Sequence, residues 1–124
     1  PASYDIVCCL EMLEHVPDPA AVINACATLA KPGAHLYFST INRNPKAFAF
    51  AIVGAEYVLN LLPRGTHEYS KFIRPSELGR WIRAAGLTLN AMTGLTYNPI
   101  TKHYRLNEDD VSVNYMVHVT KPEQ

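Results

Sequence analysis

Two β-rich apolar runs joined by a single helix restrict this chain to folds built around a parallel crossover. The first run is Tyr4–Leu10, and the second is 35–41. Between them, Asp18-Pro19 supplies an N-cap followed by proline in the first helical turn. We expect a helix over 20–30, ended by the sequence Lys-Pro-Gly at 31–33. Strand, helix and strand in this order predict a right-handed βαβ unit with parallel strands.

The remainder of the chain predicts one more helix and an antiparallel end to the sheet. A helix is expected over 75–85, and Gly86 follows it as a stop signal. Residues 87–97 read as a strand, and 101–106 either extends it or pairs back on it. Residues 111–120 alternate apolar and polar side chains, which predicts a last strand antiparallel to 87–97. The fold class is therefore α/β.

The segment 47–62 is the most apolar part of the chain. It holds one charged residue, Glu56, and is flanked by Arg43, Lys46 and Arg64. One interpretation is a buried core helix. The other is a helix that lies in a membrane interface, with the flanking cations near anionic headgroups.

Charge and glycine content exclude several classes of function. Lys plus Arg and Asp plus Glu are 11 each, so the net charge of zero argues against a nucleic-acid-binding module. No uninterrupted apolar run reaches the length of about 18 residues that a transmembrane helix needs. The six glycines are all at least seven residues apart, so no G-x-G loop for a dinucleotide can be written.

An acidic cluster follows the first predicted strand. Glu11, Glu14 and His15 form E-x-x-E-H, and on a helical turn positions i, i+3 and i+4 share one face. In open α/β sheets ligands bind at the carboxyl ends of strands, where this segment is expected. The three side chains are candidate ligands for Mg²⁺, Mn²⁺ or Zn²⁺. The alternative is a solvated polar turn.

Several segments carry a family resemblance. YDIV at 4–7, LEMLEHVPDP at 10–19, KPG at 31–33 and LYFSTIN at 36–42 resemble the second half of class I S-adenosylmethionine-dependent methyltransferases. The resemblance is closer still to the bacterial O-methyltransferases of ubiquinone biosynthesis. It rests on EMLEHVPDP, STINRNPKAF, VGAEYVLNLLPRGTHEYSKFIRP, GLTYNPIT and VNYM, which cover nearly the whole chain.

The resemblance implies a fold and a site. The chain would supply the C-terminal part of a Rossmann-like class I methyltransferase sheet, with parallel strands and a final antiparallel hairpin strand. Leu10 would lie against S-adenosylmethionine, and Glu11, Glu14 and His15 would bind a divalent metal, with Mg²⁺ the first choice. The implied reaction is O-methylation of a polyprenylated phenol or catechol, or of demethylubiquinol.

A general base could also assist the reaction. His67, in the sequence Gly-Thr-His-Glu at 65–68, is the candidate for removing the phenol proton. The alternative for His67 is a histidine in a surface loop. The implied partners are the polyprenylated substrate and an anionic membrane surface contacted by 43–64. The implied location is cytoplasmic, peripheral on the inner face of the bacterial membrane.

The family's glycine-rich donor loop is missing from this sequence, so we expect the chain to begin inside a longer protein. We divide it into 1–46 with the acidic cluster, an apolar insertion at 47–75, and a helix and hairpin at 76–124. Without the preceding strands, Tyr4–Leu10 becomes an apolar sheet edge, and the chain alone is expected to be a weak enzyme. It would then need its missing half or a second copy. The alternatives are a methyltransferase for a soluble acceptor and a non-catalytic metal- or membrane-binding half-domain.

Overall fold

The structure, a computed structural model, describes residues 2–48, 69–98, 103–111 and 113–123. His67 and most of the apolar segment 47–62 lie outside these ranges. In chain order the elements are β1 (Tyr4–Leu10), a 3-10 turn (Leu13–His15), α1 (Pro19–Leu29), β2 (Ala30–Ile41), α2 (Pro45–Phe48), a second 3-10 turn (Tyr69–Lys71), α3 (Pro75–Ala84), β3 (Thr88–Asn98), β4 (His103–Asn107) and β5 (Asn114–Thr120).

The five strands form one sheet in the order β1-β2-β5-β3-β4. β1 and β2 are parallel and are joined through α1, so the predicted crossover is confirmed. β5 lies antiparallel between β2 and β3, which confirms the predicted pairing of the last strand. β4 pairs back on β3, the second of the two possibilities for that segment. The α/β class is confirmed.

The start of α1 follows its sequence signal. Asp18 caps the helix, since its carboxylate accepts a hydrogen bond of 3.2 Å from the backbone N–H of Ala21. The predicted end is less accurate, because β2 begins at Ala30 and includes the stretch expected to be a turn. The reason is non-local. The Gly33 N–H donates to the Lys121 carbonyl at 2.8 Å, and a φ of +83° at Gly33 permits this path.

Both long helices cover one face of the sheet. The alternation predicted for the last strand is confirmed, and Tyr115, Val117 and Val119 are fully buried under this layer. In α3, Leu78 and Ile82 are also fully buried, as their spacing predicts.

The apolar spacing in α1 places Val22, Cys26 and Leu29 on one stripe, and the structure agrees with two of the three. Cys26 is buried and Val22 packs against the core, but Leu29 is 41% exposed. The buried residues are Ile23, Cys26 and Ala27. Their spacing of i, i+3 and i+4 matches one helix face, and the stripe is therefore rotated by one residue from the expectation.

The opposite face of the sheet is open in the part of the chain that is described. β1 lies at the edge and shows Tyr4, Ile6 and Leu10 to solvent, with exposed fractions of 56%, 60% and 49%. Within the described chain β1 has one neighbouring strand and one covering layer, as expected of an apolar sheet edge. The described helices include none that is long and apolar enough to cross a bilayer.

Candidate functional site

The parallel strands β1 and β2 end together, and the residues after them form the candidate site. Leu10 is the register partner of Ser39, so the end of β1 lies beside the last third of β2. Leu10 is about half exposed and lies on the open face, where a ligand can reach it. This edge is where α/β sheets bind ligands.

Glu11 turns the chain out of β1 in a strained conformation. Its φ of +53° lies in the left-handed region, and a residue other than glycine adopts this backbone conformation at a cost of about 1 kcal/mol or more. Ser39 holds this turn. Its carbonyl accepts a hydrogen bond of 2.9 Å from the Glu11 N–H, and its Oγ accepts one of 3.0 Å. Such strain is concentrated at functional sites in proteins.

The Glu11 carboxylate is held from two strands. One oxygen accepts a hydrogen bond from the Asn114 side-chain amide at 2.5 Å, and the other accepts from Ser39 Oγ at 3.4 Å. Glu11 as a whole residue is exposed, but its carboxyl group is withdrawn from water, and this raises the pKa of the carboxyl group. The negative charge of Glu14 raises the pKa further. The hydrogen bonds from Asn114 and Ser39 oppose this shift, and the pKa is about 7.

Glu14 occupies a different environment. It lies in the 3-10 turn and is 3% exposed. Its Oε1 accepts a hydrogen bond of 2.7 Å from Thr40 Oγ1, which satisfies the buried carboxylate. The other oxygen is 3.7 Å from His15 Nε2, and the His15 side chain is 43% exposed.

β2 separates the two carboxylates. Ser39 and Thr40 are consecutive strand residues, so their side chains point to opposite faces of the sheet. Glu11 is bound to the first on the open face, and Glu14 to the second on the helix-covered face. Within the described ranges, no three His, Cys, Asp or Glu side chains are grouped so that they could hold a metal ion.

The arrangement therefore does not fit the predicted metal site of Glu11, Glu14 and His15. The prediction assumed a helical turn beginning at Glu11. The chain instead makes a left-handed turn there, and helical geometry begins only at Leu13. As a result, the side chains of Glu11, Glu14 and His15 do not converge as positions i, i+3 and i+4 of one helical turn would.

A groove beside this edge was not anticipated from sequence. It encloses about 190 Å³ between the start of α1 and the start of α3, and its wall includes Pro17, Arg43, Lys71, Glu77 and Trp81. The Arg43 guanidinium donates to the Phe72 carbonyl at 3.1 Å and to Glu77 at 3.0 Å. The sequence feature that could have indicated this groove is the position of Arg43, two residues beyond the end of β2.

Glu77, in the wall of the groove, accepts hydrogen bonds from two arginines. Burial alone would raise its pKa. Hydrogen bonds from the Arg74 N–H and the Arg43 guanidinium, with the positive charges of both arginines, outweigh burial and hold the pKa below its ordinary value. Two of the cations predicted to face a membrane are thus already paired, because Arg43 binds Glu77 and Lys46 lies 3.6 Å from Asp110.

Comparison with known sequences identifies similar proteins. A family model described as "Methyltransferase domain" matches residues 1–91. Two proteins named ubiquinone biosynthesis O-methyltransferase, from Saccharophagus degradans and Stutzerimonas stutzeri, are each 70% identical over 121 residues. The matches cover 98% of this chain but 51% and 52% of those proteins. The chain thus spans about half the length of these relatives.

Solved structures share the fold. A possible histamine N-methyltransferase from Thermotoga maritima superposes with a TM-score of 0.69 at 18% identity, covering 97% of this chain and 57% of that one. The magnesium protoporphyrin IX methyltransferase of Synechocystis, solved with bound SAH, gives 0.59 at 17% identity, covering 98% and 46%. The expected Rossmann-like methyltransferase sheet is confirmed.

The hydrogen bond to Glu14 can be tested by replacing its donor. Thr40→Val keeps the shape of the side chain but leaves a buried carboxylate without that donor, so we expect a loss of about 1–3 kcal/mol in the free energy of unfolding. Urea denaturation of the full-length protein measures it. Thr28→Val, on the exposed side of α1, is the matched control and should change stability by less than about 0.5 kcal/mol. Equal losses in the two variants would contradict the assignment.

The Arg43–Glu77 pair predicts a pH dependence of stability. The lowered pKa of Glu77 means that its contribution is complete above its ordinary value of 4.5 and is lost as pH falls through the lower folded-state value. Glu77→Gln should therefore destabilise the protein by about 1 kcal/mol at pH 7, and the difference from wild type should shrink below pH 4.5. Glu108→Gln, in the exposed turn after β4, serves as control. A difference that stays constant with pH would refute the pairing.

Proposed function

Since the chain belongs to the methyltransferase domain family, we propose that it forms part of an S-adenosylmethionine-dependent O-methyltransferase of ubiquinone biosynthesis. The observation that carries the proposal is the 70% identity to two relatives of that name, sustained over 98% of the chain. The described fold supports it, since β1 and β2 bring Leu10 and Glu11 to the ligand-binding edge of the sheet.

The proposed reaction transfers a methyl group from a sulfonium to a phenol oxygen of a polyprenylated acceptor. The oxygen attacks the methyl carbon as the carbon–sulfur bond breaks, and the products are S-adenosylhomocysteine, a methyl ether and a proton. The donor is already activated, so the protein mainly supplies alignment. We assign Leu10 to the wall of the donor site, because its side chain is exposed at the end of β1.

A phenol with a pKa near 10 is mostly protonated at neutral pH, so a base in the site increases the nucleophile concentration. We assign this role to His67. Support comes from its imidazole, which is the side chain best suited to proton transfer near pH 7. His67 lies outside the described residues, and the assignment rests on sequence.

Contact with an anionic membrane through 43–64 belongs to the same proposal, since a polyprenylated acceptor resides in a bilayer. The apolar composition of 47–62 supports it. Arg43 and Lys46 are engaged with Glu77 and Asp110, so apolar insertion, rather than these two cations, is expected to provide most of the affinity. The location that we propose with this contact is the inner face of the cytoplasmic membrane.

Activity of the full-length protein tests the chemistry. With labelled S-adenosylmethionine, we expect methyl transfer to a polyprenylated catechol and little to the same catechol without its tail. His67→Gln should lower kcat by about 10²–10⁴. His103→Gln, an exposed histidine in β4, is the matched control and should retain activity. Full activity in His67→Gln would remove the base assignment, and preference for the tail-free acceptor would favour a soluble substrate.

The implied requirement for Mg²⁺ is tested in the same assay by adding a chelator. Loss of activity that Mg²⁺ restores would support the metal and would require Glu11, Glu14 and His15 to rearrange. Unchanged activity is expected if the separation of the carboxylates by β2 persists in the working enzyme.

Flotation with anionic liposomes tests the membrane contact. The full-length wild-type protein should float, and Ile52→Glu should reduce the bound fraction severalfold, because it places a charge in the apolar segment. Leu106→Glu, at a residue that is 62% exposed on β4, is the control and should float as wild type does. Equal flotation of all three proteins would exclude 47–62 as the contact.

A further inference from the structure

Two histidines meet on the open face of the sheet, away from the carboxyl-end site. β2 and β5 are antiparallel, with Tyr37 opposite His118 and His35 opposite Thr120. Leu36 and Phe38 of β2 are buried under the helices. The alternation of side chains therefore places His35 and Tyr37 on the other face.

The two imidazoles are in direct contact. His35 Nδ1 is 2.9 Å from His118 Nε2, and the ring planes differ by 16°. The ring centroids are 5.2 Å apart, so the two nitrogens lie between the rings and point toward each other. Tyr37 stacks against His118 with a centroid distance of 5.0 Å and restricts its orientation. In the hydrogen bond, one nitrogen donates and the other accepts, and a single proton occupies the shared position.

A metal ion can replace that shared proton. Imidazole nitrogen binds Cu²⁺, Ni²⁺ and Zn²⁺, whereas Mg²⁺ prefers oxygen ligands. Because the two nitrogens point at each other, an ion bound by both must lie off the line that joins them, and the rings have to turn toward it. Nitrogens that stay about 2.9 Å apart would then subtend an angle of about 90° at an ion with metal–nitrogen distances of about 2.0–2.1 Å. That angle matches neighbouring positions of a square-planar complex, the geometry of Cu²⁺ and Ni²⁺, better than a tetrahedral Zn²⁺ site.

The surroundings allow such an ion to bind. His35 is exposed and can turn toward solvent, whereas His118 is half-buried against Tyr37, so His35 makes the larger adjustment and water can complete the coordination sphere. The strands fix the two backbone positions in advance, which reduces the ordering needed for chelation.

We propose that His35 and His118 form a two-histidine surface site for Cu²⁺ or Ni²⁺. The site lies toward the amino end of β2, and Ser39 and Thr40, which bind the two glutamates, lie toward its carboxyl end. The inference therefore does not depend on the proposed methyltransferase activity. It also implies that a transition-metal titration of this protein reports on a nitrogen site distinct from the acidic residues.

Copper binding to the full-length protein, purified without a histidine tag, tests the proposal. Isothermal titration with Cu²⁺ in a glycine buffer, which suppresses weak sites, should give one equivalent per chain. His35→Asn and His118→Asn should each lose this equivalent or weaken it by at least about tenfold. His103→Asn, on β4, is the matched control and should bind as wild type does. Both target residues are at the surface, and circular dichroism verifies that the variants are folded.

Electron paramagnetic resonance of the wild-type complex gives a second readout that needs no variant. The spectrum should show hyperfine coupling to two imidazole nitrogens, and a hundredfold excess of Mg²⁺ should not displace the copper. The proposal is overturned if the His35 and His118 variants bind Cu²⁺ as wild type does, if the wild-type protein binds none, or if Mg²⁺ displaces the ion.

Discussion

The alternation of side chains along β2 determines what the rest of this structure can do. β2 is bonded on one side to β1 and on the other to β5, and the long helices of the described chain cover one of its faces. Its inward residues Leu36 and Phe38 build the core, while His35 on the other face is exposed and Tyr37 is half-buried. The same alternation assigns Glu11 to Ser39 on one face and Glu14 to Thr40 on the other. A single strand therefore sets the core, the spacing of the acidic residues and the contact between the two histidines.

Much of the fold follows from local sequence signals. The capping aspartate and proline at the start of α1, the spacing in α3 and the alternation of β5 are each encoded within about ten residues. The features that were missed depend on distant residues. The early start of β2 needs Lys121, and the orientation of α1 depends on the sheet beneath it. The dispersal of the acidic cluster follows from the left-handed turn at Glu11, whose stabilisation by Ser39 and Asn114 no local pattern records.

The site shows the same division between local and distant information. The sequence correctly places Leu10 at the end of a strand and Glu11 directly after it, and the parallel pairing brings them to the edge where this fold binds ligands. Function was inferred mainly through resemblance, which the methyltransferase domain match over residues 1–91 supports. The described residues supply Leu10, the proposed wall of a donor site, and beside it the groove whose wall includes the Arg43–Glu77 pair. The proposed base His67 and most of the apolar segment 47–62 lie outside the described residues, and their roles are proposed from the sequence.

A crystal structure of the full-length protein with S-adenosylhomocysteine tests the central claim most directly. The account predicts that Leu10 contacts the bound product at the end of β1. It also predicts that Glu11 and Glu14 remain on opposite faces of β2, bound to Ser39 and Thr40. Convergence of Glu11, Glu14 and His15 on a single ion, or a product bound away from this edge, would contradict it.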